Sequence, residues 1–130
     1  ATVPPGLKDR ITCHPGSFRT DPLPGGADTI SLVRVLYDHP DAVVATLLAA
    51  VHASLPSGGH IVISEPMSGG ARPDPSTDIY FAIYTLAMRT GRTRSAAEIA
   101  ALLTATGFVQ VRSRPGDRPH VTSVVQAVRP

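Results

Sequence analysis

The feature that most limits the fold of this chain is a strand–helix–strand pattern across residues 27–65. Residues 27–36 are almost continuously apolar, as is typical of a central strand that other layers cover on both faces. Apolar residues then recur at helical spacing over residues 41–55, and residues 60–65 form a second apolar run. Short connections in this order favour parallel strands joined by a right-handed crossover helix. The sequence therefore predicts an α/β fold with parallel central strands.

The second half of the chain predicts two more helices and two more strands. Residues 78–88 have the composition of an apolar helix. Ser95-Ala96-Ala97-Glu98 is a capping box, and the helix that it starts is expected to end at Gly107. Residues 109–114 and 121–128 alternate as strands on either side of a proline-bounded loop, which suits a terminal antiparallel pair at a sheet edge.

Composition excludes several classes of function. With 130 residues and 42% hydrophobic content, the chain suits one domain or a large piece of one. The arginines are scattered and the net charge is only +2, so nothing supports nucleic-acid binding. No apolar run approaches the roughly 18 residues that cross a bilayer. We therefore expect a cytoplasmic protein without stable membrane insertion.

The metal-binding residue types form no recognisable site. The five histidines lack both mutual spacing and neighbouring ligands, so no metal site is predicted. The single cysteine, Cys13, excludes an internal disulfide and a cysteine-rich metal centre. We expect it to be a small buried residue on a short strand over residues 10–14. The paired glycines are turn residues, since none lies in a G-x-G-x-x-G arrangement between a strand and a helix.

Five short blocks follow one another in a recognisable order. They are Gly16-Ser17-Phe18, Leu32-Val33-Arg34-Val35-Leu36-Tyr37-Asp38, Leu55-Pro56-Ser57-Gly58-Gly59, Ile63-Ser64-Glu65-Pro66 and Gly91-Arg92-Thr93-Arg94-Ser95. In order and spacing, these blocks resemble the S-adenosylmethionine-dependent O-methyltransferases, a family that includes plant phenol enzymes and bacterial small-molecule enzymes. Residues 33–39, 65–67 and 94–99 are most similar to the bacterial carotenoid enzymes of the hydroxyneurosporene or demethylspheroidene type, which methylate 1-hydroxy groups.

The resemblance implies a Rossmann-like class I methyltransferase fold with S-adenosyl-L-methionine as cofactor. Residues 1–130 would be the C-terminal part of the catalytic domain, because the glycine-rich turn that opens such a domain has no counterpart in the sequence. The N-terminal helical region that family members use for dimerisation has none either. We therefore expect a homodimer formed through a region outside this chain, and no catalysis by the chain alone.

The resemblance also implies cofactor-binding residues. Ser17 and Phe18 occupy the positions of the pair that holds adenine in the family. Phe18 can stack on the base, whereas Ser17 replaces an acidic residue and carries no charge for the exocyclic amine. Val33 and Arg34 lie where the family places residues beside the cofactor, at the carboxyl end of a central strand. Two alternatives stay open, namely that Phe18 is a core residue and that Arg34 pairs with Asp38.

The catalytic residues that the resemblance implies are Tyr37 and Glu65. Tyr37 stands where plant members have the histidine base, and an unperturbed tyrosine, with a pKa near 10, is rarely a ready base at neutral pH. We expect it to orient the acceptor hydroxyl, while the proton leaves late to water or to a carboxylate. Glu65 matches the acidic residue beside the base, although it could instead pair with Arg34 or a helix end. His39 is a further candidate base or a capping or surface residue.

The predicted apolar helix supplies the acceptor pocket by the same resemblance. Tyr80, Tyr84 and Met88 would bind the substrate, and Thr93 stands where the family has a further acidic residue. The helix could equally be a plain core or interface helix. The sequence thus predicts an O-methyltransferase for a small, hydrophobic, hydroxylated substrate such as a 1-hydroxycarotenoid. The alternatives are an O-methyltransferase for a phenol or polyketide, and a non-catalytic α/β binding or dimerisation module.

Overall fold

A computed structural model describes residues 4–116 and 121–130 of the chain. In chain order its strands are β1 (Thr29–Val33), β2 (His60–Glu65), β3 (Met67–Ser68), β4 (Arg94–Ser95), β5 (Val109–Pro115) and β6 (Ser123–Val128). Its α-helices are α1 (Asp41–Ser54), α2 (Pro75–Met88) and α3 (Ala96–Thr106). Two short 3₁₀ helices cover Pro5–Arg10 and Leu36–Asp38.

Four of the strands form one mixed sheet in the order β1-β2-β6-β5. β1 and β2 run parallel, with Thr29 opposite His60 and Val33 opposite Ser64. β6 is antiparallel to both β2 and β5, which confirms the predicted terminal antiparallel pair. β3 and β4 form a separate parallel pair. The loop predicted between β5 and β6 includes residues 117–119, which lie outside the described residues.

The core is mainly aliphatic, as a chain with few aromatic residues requires. α1 buries Val44, Leu47, Leu48 and Val51, which share one face of the helix at three- and four-residue spacing. Ile61 and Ile63 of β2 are fully buried beneath this layer of side chains. α3 adds Ile99 and Leu103, and it carries the predicted capping box at Ser95 and Glu98 and the predicted left-handed cap at Gly107.

Only part of residues 27–36 forms the strand that their apolar run predicted. β1 is limited to Thr29–Val33 and lies at the edge of the sheet in the described part of the chain. Leu32 is its one buried residue, while Val33 is 59% exposed. The strand ends because Arg34 turns the backbone with a φ of 55°. The apolar run extends beyond the end of β1 because Leu36, in the short 3₁₀ helix that follows, is also buried.

The N-terminal prediction was also wrong. Pro5–Arg10 is a 3₁₀ helix, and residues 11–14 are exposed and belong to no strand. Cys13 is exposed rather than buried. An alternating pattern becomes a strand only where another strand supplies backbone hydrogen bonds, and none of the described residues does so here. The helix predicted over residues 78–88 is present but begins earlier, at Pro75, because Asp74 accepts a hydrogen bond from the Ser76 N–H and caps it.

Candidate cofactor and acceptor site

The candidate site lies at the carboxyl ends of the parallel strands β1 and β2. Val33 is the last residue of β1, Arg34 follows it directly, and Glu65 is the last residue of β2. Parallel strands end at the same edge of a sheet, which is where open α/β sheets bind ligands. Between the two strands in sequence, the turn Leu36–Asp38 carries Tyr37. The topology therefore brings four of the predicted site residues to one edge.

Tyr37 is held in an aromatic cluster between this turn and α2. Its side chain is 5% exposed, and its ring centroid lies 5.8 Å from that of Phe81 and 5.6 Å from that of Tyr84. A hydrogen bond with Tyr37 raises the pKa of the Tyr84 hydroxyl above its ordinary value. Tyr84 therefore stays protonated at neutral pH and can serve as a neutral hydrogen-bonding group.

Arg34 is an exposed residue next to this cluster, not the buried strand arginine that the sequence suggested. Its Nη2 donates a hydrogen bond of 3.2 Å to the Tyr37 hydroxyl. The guanidinium carbon lies 5.3 Å from the Tyr37 ring centroid and 5.8 Å from that of Phe81, within cation–π range. In the described part of the chain no salt bridge joins Arg34 to Asp38, so that alternative was wrong.

Glu65 supports the turn that carries Tyr37. It is 1% exposed, and its Oε1 accepts hydrogen bonds from the backbone N–H groups of Val35 at 2.7 Å and Leu36 at 2.9 Å. Its Oε2 is buried and has no partner among the described residues. Burial raises the pKa of the Glu65 carboxyl above its ordinary value, against the effect of the backbone donors. These contacts match the helix-end alternative rather than a pairing with Arg34.

Ser17 and Phe18 lie beside an open cleft of about 690 Å³ that is lined by the loop around them. Phe18 is half-buried against the core, with its ring centroid 5.2 Å from that of His39. Ser17 is exposed, and its backbone N–H donates to Asp21 Oδ2 at 2.8 Å. The Ser17 hydroxyl accepts a hydrogen bond of 3.3 Å from the Arg19 N–H. An aromatic ring and a serine hydroxyl at an open cleft are groups that suit a flat heterocyclic base.

His39 faces Phe18 rather than Tyr37. Its Nδ1 lies 3.1 Å from Arg19 Nη2, and burial, followed by the charge of Arg19, lowers the pKa of its imidazole. A neutral imidazole hydrogen-bonded to an arginine cannot accept a proton at that same nitrogen. The structure therefore favours a packing role for His39.

α2 presents two different faces. Phe81 is buried and Tyr84 is half-buried, and both rings contact Tyr37. Tyr80 is 62% exposed and Met88 is 51% exposed. They share an exposed apolar surface with Ile79, Ile83 and Leu86. Of the three predicted substrate residues, only Tyr84 is next to Tyr37.

One residue that the sequence prediction did not single out, Arg94, organises this site. Arg94 is 1% exposed, and its guanidinium bonds the Asp41 carboxylate together with the backbone carbonyls of Leu36 and His39. The available signal was an arginine inside the block Gly91-Arg92-Thr93-Arg94-Ser95, followed at once by a helix cap. Thr93, where the family resemblance implies an acidic residue, lines a neighbouring cavity of about 500 Å³.

Across residues 4–116 and 121–130, no three His, Cys, Asp or Glu side chains are grouped as metal ligands. None of the helices in those residues is long and apolar enough to cross a membrane.

Comparison with known proteins gives consistent matches along the chain. Residues 1–109 match the model of the O-methyltransferase domain. The chain is 62% identical over 125 residues to a demethylspheroidene O-methyltransferase of Cereibacter sphaeroides, covering 96% of this chain and 33% of the relative. It is 60% identical over 120 residues to the demethylspheroidene O-methyltransferase of Rhodobacter capsulatus, covering 92% of this chain and 30% of the relative.

Solved structures agree with this match. Human N-acetylserotonin methyltransferase, solved in complex with S-adenosylmethionine, superposes with a TM-score of 0.80 at 26% identity, over 89% of this chain and 33% of that chain. The fold is thus that of the class I methyltransferases, and the chain spans about a third of the length of the curated relatives it matches. By its match over residues 1–109, the chain belongs to the O-methyltransferase domain family.

Proposed function

We propose that residues 1–130 form the C-terminal part of the catalytic domain of an S-adenosylmethionine-dependent O-methyltransferase. The acceptor that we propose is a hydrophobic hydroxylated molecule, in particular a 1-hydroxycarotenoid. The observation that carries the proposal is the cluster of the buried Tyr37, the half-buried Tyr84 and the exposed Arg34 at the carboxyl edge of the parallel strands. The 62% identity to a demethylspheroidene O-methyltransferase supports the carotenoid class of acceptor.

Four residues are proposed to hold the cofactor. Phe18 would stack on the adenine, since its ring borders an open cleft, and the Ser17 hydroxyl would hydrogen-bond the base. Val33 and Arg34 would flank the cofactor at the end of β1, where Val33 offers an exposed apolar side chain. When bound, the cofactor supplies an electrophilic methyl group on a sulfonium centre.

Tyr37 is proposed to orient the acceptor rather than to deprotonate it. Its hydroxyl already accepts a hydrogen bond from Arg34, and it lies next to the Tyr84 hydroxyl, so its direction is fixed. Positioning an acceptor oxygen in line for displacement can supply most of a rate enhancement. As the new C–O bond forms, the acceptor's hydroxyl proton leaves to water or to a carboxylate. Glu65 is proposed to act from beneath the turn, where its Oε1 accepts the Val35 and Leu36 N–H groups and so supports Tyr37.

The acceptor is proposed to lie along α2. Tyr84 borders the aromatic cluster, and Tyr80 and Met88 extend an exposed apolar surface that suits a long hydrocarbon chain. We further propose a cytoplasmic homodimer whose subunit contact is formed outside residues 1–130.

Calorimetry with S-adenosylhomocysteine tests the proposal on the full polypeptide that the gene encodes. We expect one-to-one binding that Phe18→Ala weakens. Val111→Ala is the matched control, because Val111 also packs on the core from a half-buried position but does not line the cleft. No binding at millimolar cofactor would favour the non-catalytic module.

Methyl transfer from radiolabelled cofactor then separates the two enzyme alternatives. Demethylspheroidene is the carotenoid probe and N-acetylserotonin is the phenol-like probe, since both names occur among the relatives. We expect transfer to the carotenoid. Transfer to the second probe alone would favour the phenol alternative.

A further inference from the structure

The turn that carries Tyr37 is held by side chains from the segment between α2 and α3. The Leu36 carbonyl accepts from Arg94 Nη1 at 2.8 Å, and the His39 carbonyl accepts from Arg94 Nη2 at 2.9 Å. The Asp38 carbonyl between them accepts from Thr90 Oγ1 at 3.0 Å. Three carbonyls of one four-residue stretch are thus bonded to side chains more than 50 positions away in sequence.

Arg94 uses its whole guanidinium in these contacts. Besides the two carbonyls, its Nε and Nη2 donate to Asp41 Oδ1 at 2.9 and 2.6 Å, and Nη1 also donates to the Arg92 carbonyl at 3.3 Å. The Asp41 carboxylate balances the charge that the fold buries here. A planar fork of fixed donors can reach these acceptors together, whereas a lysine ammonium cannot.

Glu65 forms hydrogen bonds with the other face of the same turn. Its Oε1 takes the N–H groups of Val35 and Leu36, while Arg94 takes the carbonyls of Leu36 and His39. Tyr37 therefore lies on a turn that is fixed from β2 on one side and from the start of α3 on the other. The turn's own bond from the His39 N–H to the Leu36 carbonyl shares an acceptor with Arg94.

We propose that Arg94 is a positioning residue, which sets the orientation of the Tyr37 hydroxyl by fixing the backbone of residues 36–39. This inference rests on the proposed function, because it assumes that Tyr37 orients an acceptor. Arg94 touches neither the cluster of rings nor the cleft, so its effect passes through the backbone.

Kinetics of the full polypeptide, with demethylspheroidene as acceptor, test the inference in the variant Arg94→Lys. We expect kcat to fall by about 10- to 100-fold, because a small misplacement of a positioning group costs this much. The S-adenosylhomocysteine Kd should stay within about twofold, since the adenine cleft is not touched. Arg92→Lys is the matched control, because Arg92 lies on the same segment and pairs with Asp41 but donates to no carbonyl of residues 36–39. A folded Arg94→Lys variant with unchanged kcat would overturn the inference.

Amide hydrogen exchange gives a second readout that needs no turnover. In Arg94→Lys the His39 amide should exchange at least ~10 times faster, while the Ile61 and Ile63 amides of β2 should not change. If Arg94→Lys does not fold, Thr90→Val, which removes one exposed bond to the Asp38 carbonyl, should give a smaller change in the same direction. Unchanged His39 exchange in the folded variant would also refute the inference. An unmodified protein that methylates no acceptor would defeat the proposed function, and the exchange result would still decide whether Arg94 fixes the turn.

Discussion

Gly91 is the position at which a single methyl group should most disturb the site. Its φ is 79°, and a Cβ there would overlap the backbone carbonyl oxygen of Tyr37 and the backbone that follows. Gly58 has nearly the same φ of 78° but open space around it, which makes Gly58→Ala a matched control. We expect Gly91→Ala to lower the free energy of unfolding by at least about 2 kcal/mol, and Gly58→Ala by about 1 kcal/mol. Urea denaturation of the two variants measures the difference, and equal losses would contradict the close backbone approach.

Glu65 should make stability depend on pH in the opposite direction to an ordinary carboxylate. Its pKa is raised above the ordinary 4.5 by burial, so the folded state favours the protonated form. The stability that this gives is present below about pH 4.5 and is lost as the pH rises through the raised pKa of Glu65. Glu65→Gln removes this dependence. The unfolding free energy of Glu65→Gln, relative to the unmodified protein, should therefore rise between pH 4 and pH 8.

Glu98 supplies the opposite case in the same experiment. The Ser95 backbone N–H, followed by Arg92, lowers its pKa from 4.5 to about 2. The contribution of Glu98 to stability is therefore present above about pH 4.5 and is lost as the pH falls towards about 2. Glu98→Gln should cost more stability at pH 7 than at pH 3. If the unfolding free energies of both variants, relative to the unmodified protein, changed with pH in the same direction, the raised pKa of Glu65 would be contradicted.

At the residue scale, the sequence predicted which residue types reach the site better than how they are arranged. Glu65 and Tyr37 follow apolar segments whose ends meet at the sheet edge, so their proximity was predictable. Arg34 was misjudged because its position after a strand does not reveal a left-handed φ that turns it outward. Arg94 was missed because three of its partners are backbone carbonyls, which leave no mark on a sequence, and the fourth, Asp41, lies 53 positions away.

At the element scale, α3 depends on its capping box. The Ser95 hydroxyl accepts from the Glu98 N–H at 3.3 Å, and Glu98 Oε2 accepts from the Ser95 N–H at 2.8 Å. We expect Ser95→Ala to lower the free energy of unfolding by about 1 kcal/mol, which is typical for loss of an N-cap. Thermal and urea unfolding measure this loss, with Ser57→Ala at an exposed loop position as the control. A loss no larger than that of the control would mean that the buried Arg94 next to it, not the cap, defines the start of α3.

Elements with a complete local pattern were predicted, and those that depend on a neighbour were not. α1, β2 and α3 combine apolar periodicity with a clear start or stop, and their bounds agree with the sequence to within about two residues. The predicted strand at residues 10–14 had alternation alone and no partner in the described sheet. The apolar run at residues 27–36 merged a short strand with a buried turn, because burial without regular structure looks the same in a sequence.

At the scale of the whole molecule, the proposed division of the cofactor site gives the last prediction. The residues proposed to contact the acceptor lie within residues 1–130, but the sequence contains no G-x-G-x-x-G turn that could hold the other end of the cofactor. We expect a polypeptide of residues 1–130 to transfer no methyl group from radiolabelled S-adenosylmethionine to demethylspheroidene. Circular dichroism and cooperative unfolding would first show whether this polypeptide folds.

The full polypeptide that the gene encodes is the control for that assay. If it transfers the methyl group while a folded 1–130 polypeptide does not, the Tyr37 cluster is not sufficient for methyl transfer. It then acts together with cofactor-binding residues outside residues 1–130. Tyr37→Phe in the full polypeptide should then lower kcat more than it changes the S-adenosylhomocysteine Kd, since the hydroxyl bonded to Arg34 is proposed to contact the acceptor. Methyl transfer by residues 1–130 alone would contradict the proposed division, because cofactor binding would then need no more than the edge formed by β1 and β2.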